Sequence, residues 1–152
     1  MQKKLAFDLI HQTVRTANTL LRESRRLFRP FGLTDAQFNV LNVLSENEEG
    51  LSQRELSDIL VVDRSNVTGL LDRMEKAGWV RRHDVPNDRR SYRIRLTASG
   101  KKLWGSIYPA YEKAVVVAAR RVGAESVRKC VDTLRRLETE ALAIGNELEG
   151  GK

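Results

Sequence analysis

Arginine side chains crowd the stretch VRRHDVPNDRRSYRIRL, which runs from Val80 to Leu96 and contains six arginines. The guanidinium group is a permanent cation whose planar set of donors matches phosphate oxygens and the major-groove edge of guanine. Segment 73–102 carries ten basic and three acidic residues, which accounts for the net charge of +7, because the rest of the chain is neutral. Such a basic patch is typical of a surface that binds a polyanion, although a charge run can also be a solvated face.

A second set of polar residues opens a predicted helix over 64–76. Its apolar positions recur at helical spacing, and its first turns offer groups that can read bases, with Arg64 suited to guanine and Asn66 to adenine. The positive end of the helix also favours a nearby phosphate. We interpret this segment as the recognition helix of a helix-turn-helix, which lies in the major groove. The predicted DNA contacts of the chain are Arg54, Arg64, Ser65, Asn66, Thr68, Gly69, Arg73, Asp88, Arg89, Arg90 and Arg93.

Gly69 is unusual inside that helix, where glycine costs about 1 kcal/mol relative to alanine. One interpretation is a close approach of the helix backbone to DNA or to a neighbouring helix. The other is drift at a tolerant surface position. The sequence leaves both interpretations open.

Two short helices are predicted before the recognition helix from capping boxes, in which a hydroxyl residue is followed by Gln or Glu three residues later. Thr34 and Gln37 form the first box, and Ser52 and Glu55 form the second. Asp63 is the predicted N-cap of the recognition helix. The order of three short helices favours a helix-turn-helix.

The apolar period changes from about 3.6 residues to 2 after Gly78. Residues 92–96 alternate apolar side chains with arginine, which is typical of a half-buried strand, and residues 79–85 form a plausible antiparallel partner. The Pro-Asn-Asp sequence at 86–88 is a turn signal. The arginine-rich stretch is therefore predicted to be a β-hairpin, the wing, with a basic tip.

Arg90 at the wing tip is predicted to enter the adjacent minor groove, whose negative potential attracts arginine. Asp88 could hold the Arg90 guanidinium in a bidentate pair, or it could be a plain turn residue. Arg89, Arg93 and Arg95 are predicted to contact phosphates, which position a protein on DNA without reading its sequence. For Arg95, a strand charge near solvent is an equally good interpretation.

Both ends of the chain carry apolar seams with steps of 4 and 3 residues, the repeat of helices that pack against helices. Gly123 is predicted to separate the last two helices, and Pro109 to kink or restart the helix that contains it. Because the middle of the chain already forms a domain, we expect the seams to meet a second copy rather than close the monomer's own core. The seam residues are Ile10, Val14, Ala17, Leu21, Ser24, Phe28 and Phe31 at the N-terminal end, and Cys130, Leu134, Leu137, Ala141, Ile144 and Leu148 at the C-terminal end.

Together these elements predict a mainly α fold with a small β-hairpin. The architecture is a winged helix-turn-helix flanked by long N- and C-terminal dimerisation helices. The predicted boundaries are 1–32 for the N-terminal dimerisation helix, 33–100 for the DNA-binding domain, and 101–152 for the C-terminal helices that link and dimerise.

Three motifs resemble the MarR family of bacterial transcription regulators. They are SQREL at 52–56, DRSNVTGLLDRMEKAGWVRR at 63–82, and NDRRS at 87–91 with LTASG at 96–100. With the terminal helices, the resemblance covers essentially the whole chain. It implies a homodimer, a pseudo-palindromic operator and, usually, repression relieved by a ligand. It also implies that Arg90 is the wing arginine and Asp88 its orienting aspartate. Gly69 departs from the pattern, since relatives often carry a longer polar or basic residue there, so the operator sequence is not predicted.

Many members of that family bind a small aromatic or carboxylate effector between the DNA-binding lobe and the dimer helices. The corresponding candidates in this chain are His11, Arg15, Trp104, Tyr108 and Tyr111. Aromatic residues at helical spacing are more often part of a core, so an effector is only a possible partner. Other relatives sense oxidants through cysteine near the N-terminal helix, where this chain has none.

The remaining side-chain chemistry disfavours an enzyme. With two histidines and one cysteine, the chain shows no metal-ligand spacing, phosphate-binding glycine loop or nucleophile elbow, so neither a metal nor a cofactor is predicted. A winged helix used only for protein contact is the other alternative, which the arginines of the recognition helix and wing disfavour. Cys130, the single cysteine, is predicted to be a buried seam residue. One cysteine, no secretory signal and no membrane span predict a cytoplasmic protein. The recognition helix and the basic wing predict double-stranded DNA as its partner.

Overall fold

A computed structural model describes residues 3–60, 64–85 and 88–150 of the chain, and it describes no side chains at 64, 65, 88–91, 149 and 150. Over these residues the chain is mainly helical with one two-stranded antiparallel sheet, which confirms the predicted fold class. It divides into two compact units, 1–111 and 112–152. The elements are α1 (Lys3–Phe28), a 3-10 turn (Arg29–Phe31), α2 (Asp35–Ser45), α3 (Gln53–Leu60), α4 (Arg64–Lys76), β1 (Val80–Val85), β2 (Asp88–Leu96), α5 (Ala98–Val122) and α6 (Ala124–Gly150).

Both predicted capping boxes are present. The Thr34 hydroxyl accepts from the backbone N–H of Gln37 at 3.2 Å, and the Gln37 side chain accepts from the backbone N–H of Thr34 at 2.9 Å. Ser52 and Glu55 exchange the same pair of bonds, at 3.2 and 2.7 Å. These bonds satisfy amide groups that the start of a helix leaves without a partner, so α2 and α3 begin where the sequence predicts. The predicted N-cap Asp63 lies outside the described residues.

The wing consists of β1 and β2, paired from Val80 opposite Leu96 to Asp84 opposite Tyr92, with an irregularity between Asp84 and Val85. Leu51 forms an isolated antiparallel β-bridge with Ile94, with backbone hydrogen bonds of 3.1 and 2.8 Å. The first two residues of the predicted turn, 86 and 87, lie outside the described residues. The predicted hairpin is therefore confirmed at its root, and it is tied to the segment that precedes α3.

The core lies within the unit 1–111, among the short helices, the wing and the first half of α5. Phe28 at the end of α1 stacks on Phe38 of α2 with ring centroids 4.2 Å apart, and Tyr111 lies 4.8 Å from Phe38. Each fully buried side chain of this size contributes roughly 1.5–3 kcal/mol by leaving water. The buried apolar residues are Phe28, Leu33, Phe38, Val40, Leu41, Leu44, Leu51, Leu56, Val67, Leu70, Leu71, Met74, Val80, Ile94 and Ile107.

The start of α5 packs directly against the backbone that follows α4. The Thr97 hydroxyl donates to the carbonyl of Gly78 at 2.6 Å and accepts from the amide of Gly100 at 3.0 Å. A Cβ atom on Gly100 would lie 2.0 Å from the carbonyl oxygen of Trp79, a distance that no side chain can occupy. The glycine in the Leu-Thr-x-x-Gly motif is thus required by a close approach of two backbones.

Helix α5 runs without interruption through Pro109, so the expected restart at that residue is wrong. Ile107 is fully buried and Tyr111 packs against the core, so tertiary contacts hold the helix on both sides of the missing amide. Gly123, with a φ of 92°, separates α5 from α6 as predicted. None of the described helices is long and apolar enough to cross a membrane.

The unit 112–152 contains the end of α5 and the whole of α6. Several apolar residues of the predicted seam in α6 are exposed, including Leu134 (40%), Ile144 (55%) and Leu148 (73%). Cys130 is also exposed in the single chain, so its predicted burial depends on a second copy that covers the seam. A helix with an exposed apolar stripe is incomplete without a partner surface.

Candidate nucleic-acid interface

Helix α4 is held in place by one apolar face and presents the opposite face to solvent. Val67, Leu71 and Met74 are at most 1% exposed, and α4 packs against α3 and β1. On the other side, Asn66, Thr68 and Arg73 are exposed, as a helix that enters a major groove requires. The backbones of Arg64 and Ser65 lie in the first turn of α4, and their side chains lie outside the described part of the structure.

Gly69 lies on the solvent side of α4, and among the described residues the side chain close to it is that of Arg73. A Cβ atom at position 69 would lie 3.4 Å from the Arg73 guanidinium nitrogen Nη1, which is ordinary contact with the end of a flexible side chain. Within the described residues, no neighbouring helix requires the glycine. Close packing against a neighbouring helix is therefore excluded as the reason for Gly69. Close approach of the helix to DNA and drift at a tolerant surface position both remain open.

Gln53 joins α3, the recognition helix and the wing. The Tyr92 hydroxyl of β2 donates to Gln53 Oε1 at 2.8 Å, and Gln53 Nε2 donates to the Thr68 hydroxyl of α4. Gln53 is half-buried at the start of α3. The sequence gives no signal for this role, because the capping box involves only the residues on either side of Gln53.

Arg82 lies on the inner face of the wing, because it pairs with the fully buried Ile94. Its guanidinium donates to Glu75, and to Asp72 at 2.6 Å, so it binds the carboxylates of α4 rather than an outside partner. The Tyr92 ring lies 5.4 Å from it. Arg82 is one of the basic residues of the segment 73–102, but its charge is already compensated within the protein.

The pKa values of this cluster follow from the same contacts. The backbone N–H of Arg82 donates to Glu75 at 2.9 Å and, with the Arg82 side chain, holds the pKa of Glu75 below its ordinary value. Burial alone would lower the pKa of Arg82, but hydrogen bonds to Asp72 and Glu75 outweigh that effect and raise it. Both groups therefore stay charged when α4 and β1 are packed together.

The root of the wing is joined to the turn before α3 by two arginines. Arg93 donates to the carbonyl oxygen of Gly50 at 2.6 Å, and its guanidinium lies 3.9 Å from Glu55. Arg95 donates to the backbone and side-chain oxygens of Glu49, both at 2.9 Å. Hydrogen bonds from Ser52, with a smaller effect of Arg93, lower the pKa of Glu55. Phosphate contacts by Arg93 and Arg95 would compete with these partners.

The predicted wing-tip contacts lie at the start of β2. The backbones of Asp88, Arg89 and Arg90 belong to that strand, and their side chains lie outside the described part of the structure. Arg54, on α3, is exposed and lies 4.0 Å from Asp58 of the same helix, a weak pair that leaves the guanidinium accessible. The structure thus places the predicted DNA contacts on three neighbouring elements, α3, α4 and β2.

The predicted effector residues fall into two groups. Trp104, Tyr108 and Tyr111 form an aromatic ladder on α5, with centroids 4.6 Å apart for the first pair and 6.5 Å for the second. Trp104 also donates to the side-chain oxygen of Asn42 at 3.3 Å. His11 and Arg15 are exposed on α1, where they line a shallow depression with residues of the same helix. Trp104 and Tyr111 pack against the core, as the alternative interpretation expects.

A groove of about 970 Å³ borders α4 on the flank that carries Asn66 and Arg73. Its other walls come from the end of α1, the 3-10 turn and the start of α2, where Arg29 and Asn39 contribute polar groups. Apolar side chains, including Leu33, line the rest. No sequence pattern indicates this groove, because its residues are far apart in the chain and acquire a common surface only through the fold.

The described residues define a winged helix-turn-helix protein that presents a polar recognition helix beside a basic wing. A sequence model of the MarR family matches residues 31–91. The transcriptional activatory protein BadR of Rhodopseudomonas palustris is 37% identical over 103 residues, which are 66% of this chain and 59% of BadR. This chain therefore spans less than two thirds of the length of that relative.

Two solved structures resemble most of the chain. The crystal structure of NadR in complex with 4-hydroxyphenylacetate has a TM-score of 0.74 and 28% identity, covering 83% of this chain and 89% of NadR. The Mycobacterium tuberculosis regulator MOSR, in complex with DNA, has a TM-score of 0.70 and 29% identity, covering 87% of this chain and 96% of that one.

Over residues 31–91 the chain matches the MarR family of transcription regulators, and over most of its length it has the fold of solved winged-helix regulators. Its relatives and structural neighbours are DNA-binding transcription regulators and not enzymes, which agrees with the predicted class.

Proposed function

We propose that the protein is a homodimeric repressor that binds a pseudo-palindromic operator through two copies of α4 and the wing. The observation that carries this proposal is the placement of an exposed polar face on α4 beside a wing whose strand β2 begins with Asp88, Arg89 and Arg90. The recognition helix would read bases in the major groove, and the wing arginine would reach the adjacent minor groove.

Dimerisation is supported by the exposed apolar residues of the terminal helices. In α1, Ile10 (47% exposed) and Val14 (56%) occupy the predicted seam. In α6, the corresponding residues include Ile144 (55%) and Leu148 (73%). A monomer in water would leave these stripes solvated, whereas a second copy of the same chain offers identical stripes that can cover them.

Footprinting tests the arrangement on DNA. Fragments bound from genomic DNA would first supply an operator. Nuclease protection is then expected over two inverted half-sites about 34 Å apart, one turn of the double helix. Transcription in vitro from a promoter that overlaps this operator is expected to fall when the protein is added. Protection of a single half-site would contradict the dimer, and stimulated transcription would make the protein an activator.

We also propose that a small carboxylate releases the protein from its operator by occupying the groove beside α4. NadR was crystallised with 4-hydroxyphenylacetate, which combines an apolar ring with a carboxylate. In this chain the groove offers Arg29 and Asn39 to a carboxylate and apolar side chains to a ring. Because Asn66 and Arg73 form one wall, an occupant would touch residues proposed to contact DNA.

The effector proposal has a direct test with 4-hydroxyphenylacetate as the probe. The compound is expected to lower operator affinity of the unmodified protein and to lose that effect in Arg29→Ala. If His11→Ala or Tyr108→Phe abolishes the effect while Arg29→Ala retains it, the effector site is the set of residues predicted from the sequence instead. No effect in any variant would remove this compound class from the proposal.

A further inference from the structure

Gln53 is the point at which three parts of the DNA-binding surface meet through hydrogen bonds. Its amide oxygen accepts from the Tyr92 hydroxyl of the wing at 2.8 Å, and its amide nitrogen donates to the Thr68 hydroxyl of the recognition helix. A primary amide can donate and accept at once, so one side chain satisfies both neighbours. Gln53 is also half-buried, which restricts the alternative positions open to it.

The arginines described in the wing bind elements other than the first turns of α4. Arg93 and Arg95 tie the wing root to the turn before α3. Arg82 ties β1 to Asp72 and Glu75, which lie in the second half of α4. The hydrogen bonds from Tyr92 to Gln53 and from Gln53 to Thr68 instead connect the wing to the first turns of α4, where bases would be read.

We propose that Gln53 is a positioning residue that fixes the wing relative to the first turns of the recognition helix, so that both engage one operator in register. This inference rests on the proposed function, because it assumes that α4 and the wing contact the same half-site. A loose wing could still bind phosphates anywhere along a duplex, whereas simultaneous insertion of α4 and the wing at one sequence requires a fixed separation. Gln53 therefore acts on sequence discrimination more than on general affinity for DNA.

The test is a double-mutant cycle on operator and random duplexes. Tyr92→Phe removes only the hydroxyl and keeps the ring beside Arg82, and Gln53→Met removes both polar groups at similar length. Each variant is expected to lose about three- to tenfold in operator affinity, the usual effect of one neutral hydrogen bond, and less than about twofold on random duplex. The double variant is expected to be no weaker than either single variant.

Controls separate positioning from simple loss of a contact. Ser106→Ala is the matched control, because the Ser106 hydroxyl donates to the carbonyl oxygen of Leu103 in its own helix, and its loss should change neither affinity nor discrimination. Equal losses on operator and random duplex for Gln53→Met would make Gln53 a phosphate contact. Additive losses in the double variant would show that Tyr92 and Gln53 act independently. Either result overturns the inference.

Hydrogen exchange in the free protein distinguishes this inference from the proposed function. Tyr92→Phe and Gln53→Met are both expected to speed amide exchange in residues 66–70 of α4 as well as in β2. Exchange that changes in β2 alone would overturn the coupling even if operator binding is found. If the unmodified protein shows no preference for any operator, the proposed function fails, and the exchange result still decides whether Gln53 joins the wing to α4.

Discussion

At the scale of single residues, the arginines of the basic segment have different roles. Arg82 is held on the inner face of the wing by carboxylates of α4, and Arg93 and Arg95 are held at its root. Asn66 and Arg73 face solvent on α4. A count of charges in the sequence cannot separate these groups, because the carboxylates that compensate Arg82 and Arg95 are selected by the fold and not by spacing along the chain.

The Arg90→Ala variant tests the wing tip. Loss of an inserted guanidinium is expected to weaken operator binding roughly ten- to hundredfold while the dimer stays intact, since Arg90 belongs to the wing and not to the predicted seams. Affinity is measured by fluorescence anisotropy and oligomeric state by sedimentation. Arg121→Ala, at an exposed position in the last turn of α5, is the matched control. Unchanged affinity for Arg90→Ala would reject the minor-groove role.

The Glu75→Gln variant tests the carboxylate that holds Arg82. Folding lowers the pKa of Glu75 below its ordinary 4.5, so its stabilising effect is complete above that pH and is lost as the pH falls through the lower folded value. The variant is expected to be less stable by roughly 1 kcal/mol at pH 7, after discounting for solvent screening. The difference should shrink as the pH falls below 4.5. Urea unfolding at fixed protein concentration measures it, and a difference independent of pH would contradict the ion pair.

At the level of helices and strands, the sequence predicts where helices begin better than it predicts which residues meet in the fold. The capping boxes at Thr34 and Ser52 involve residues three apart, so the sequence contains the whole interaction. Pro109 misled the prediction because the buried Ile107 and the packed Tyr111 hold α5 together across the proline. The hydrogen bonds of Gln53 with Thr68 and Tyr92 have no signal in the sequence either, because these residues lie 15 and 39 positions from Gln53.

Two glycines of α5 give opposite predictions for the same substitution. Gly100→Ala would place a methyl group 2.0 Å from the Trp79 carbonyl oxygen, and overpacking of this kind costs about 3 kcal/mol or more. Gly105→Ala meets no atom within 4 Å and is expected to stabilise the helix by about 0.5–1 kcal/mol. Thermal and urea unfolding compare the two. Equal effects would show that α5 does not approach Trp79 as described.

At the scale of the whole molecule, the terminal helices are the least complete part of the structure. Their seams follow a repeat that the sequence displays openly, yet Ile10, Val14, Ile144 and Leu148 are all exposed in one chain. The periodicity predicted the helices correctly. The surface that covers these exposed seams belongs to a second molecule, so the sequence pattern of one chain does not identify it.

The Ile144→Glu variant tests that second molecule. A charge in an apolar seam would have to be buried without a partner, so the variant is expected to be monomeric at micromolar concentration and to lose at least about tenfold in operator affinity. Thr139→Glu makes the same change of charge off the seam, where the hydroxyl bonds only to its own helix, and should remain dimeric. Sedimentation and operator titration report both properties. A dimeric Ile144→Glu protein would place the interface elsewhere.

The acidic turn before α3 has a consequence for how binding responds to ionic strength. Glu48 lies 3.6 Å from Lys101 and Glu49 lies 2.9 Å from Arg95, so these cations already have anionic neighbours inside the protein. A protein that binds DNA releases sodium or potassium ions condensed on the phosphates. Each lysine or arginine that contacts a phosphate releases about 0.9 of such an ion, and the other basic side chains release none. The counterions released per chain should therefore number clearly fewer than the ten basic residues of the segment 73–102.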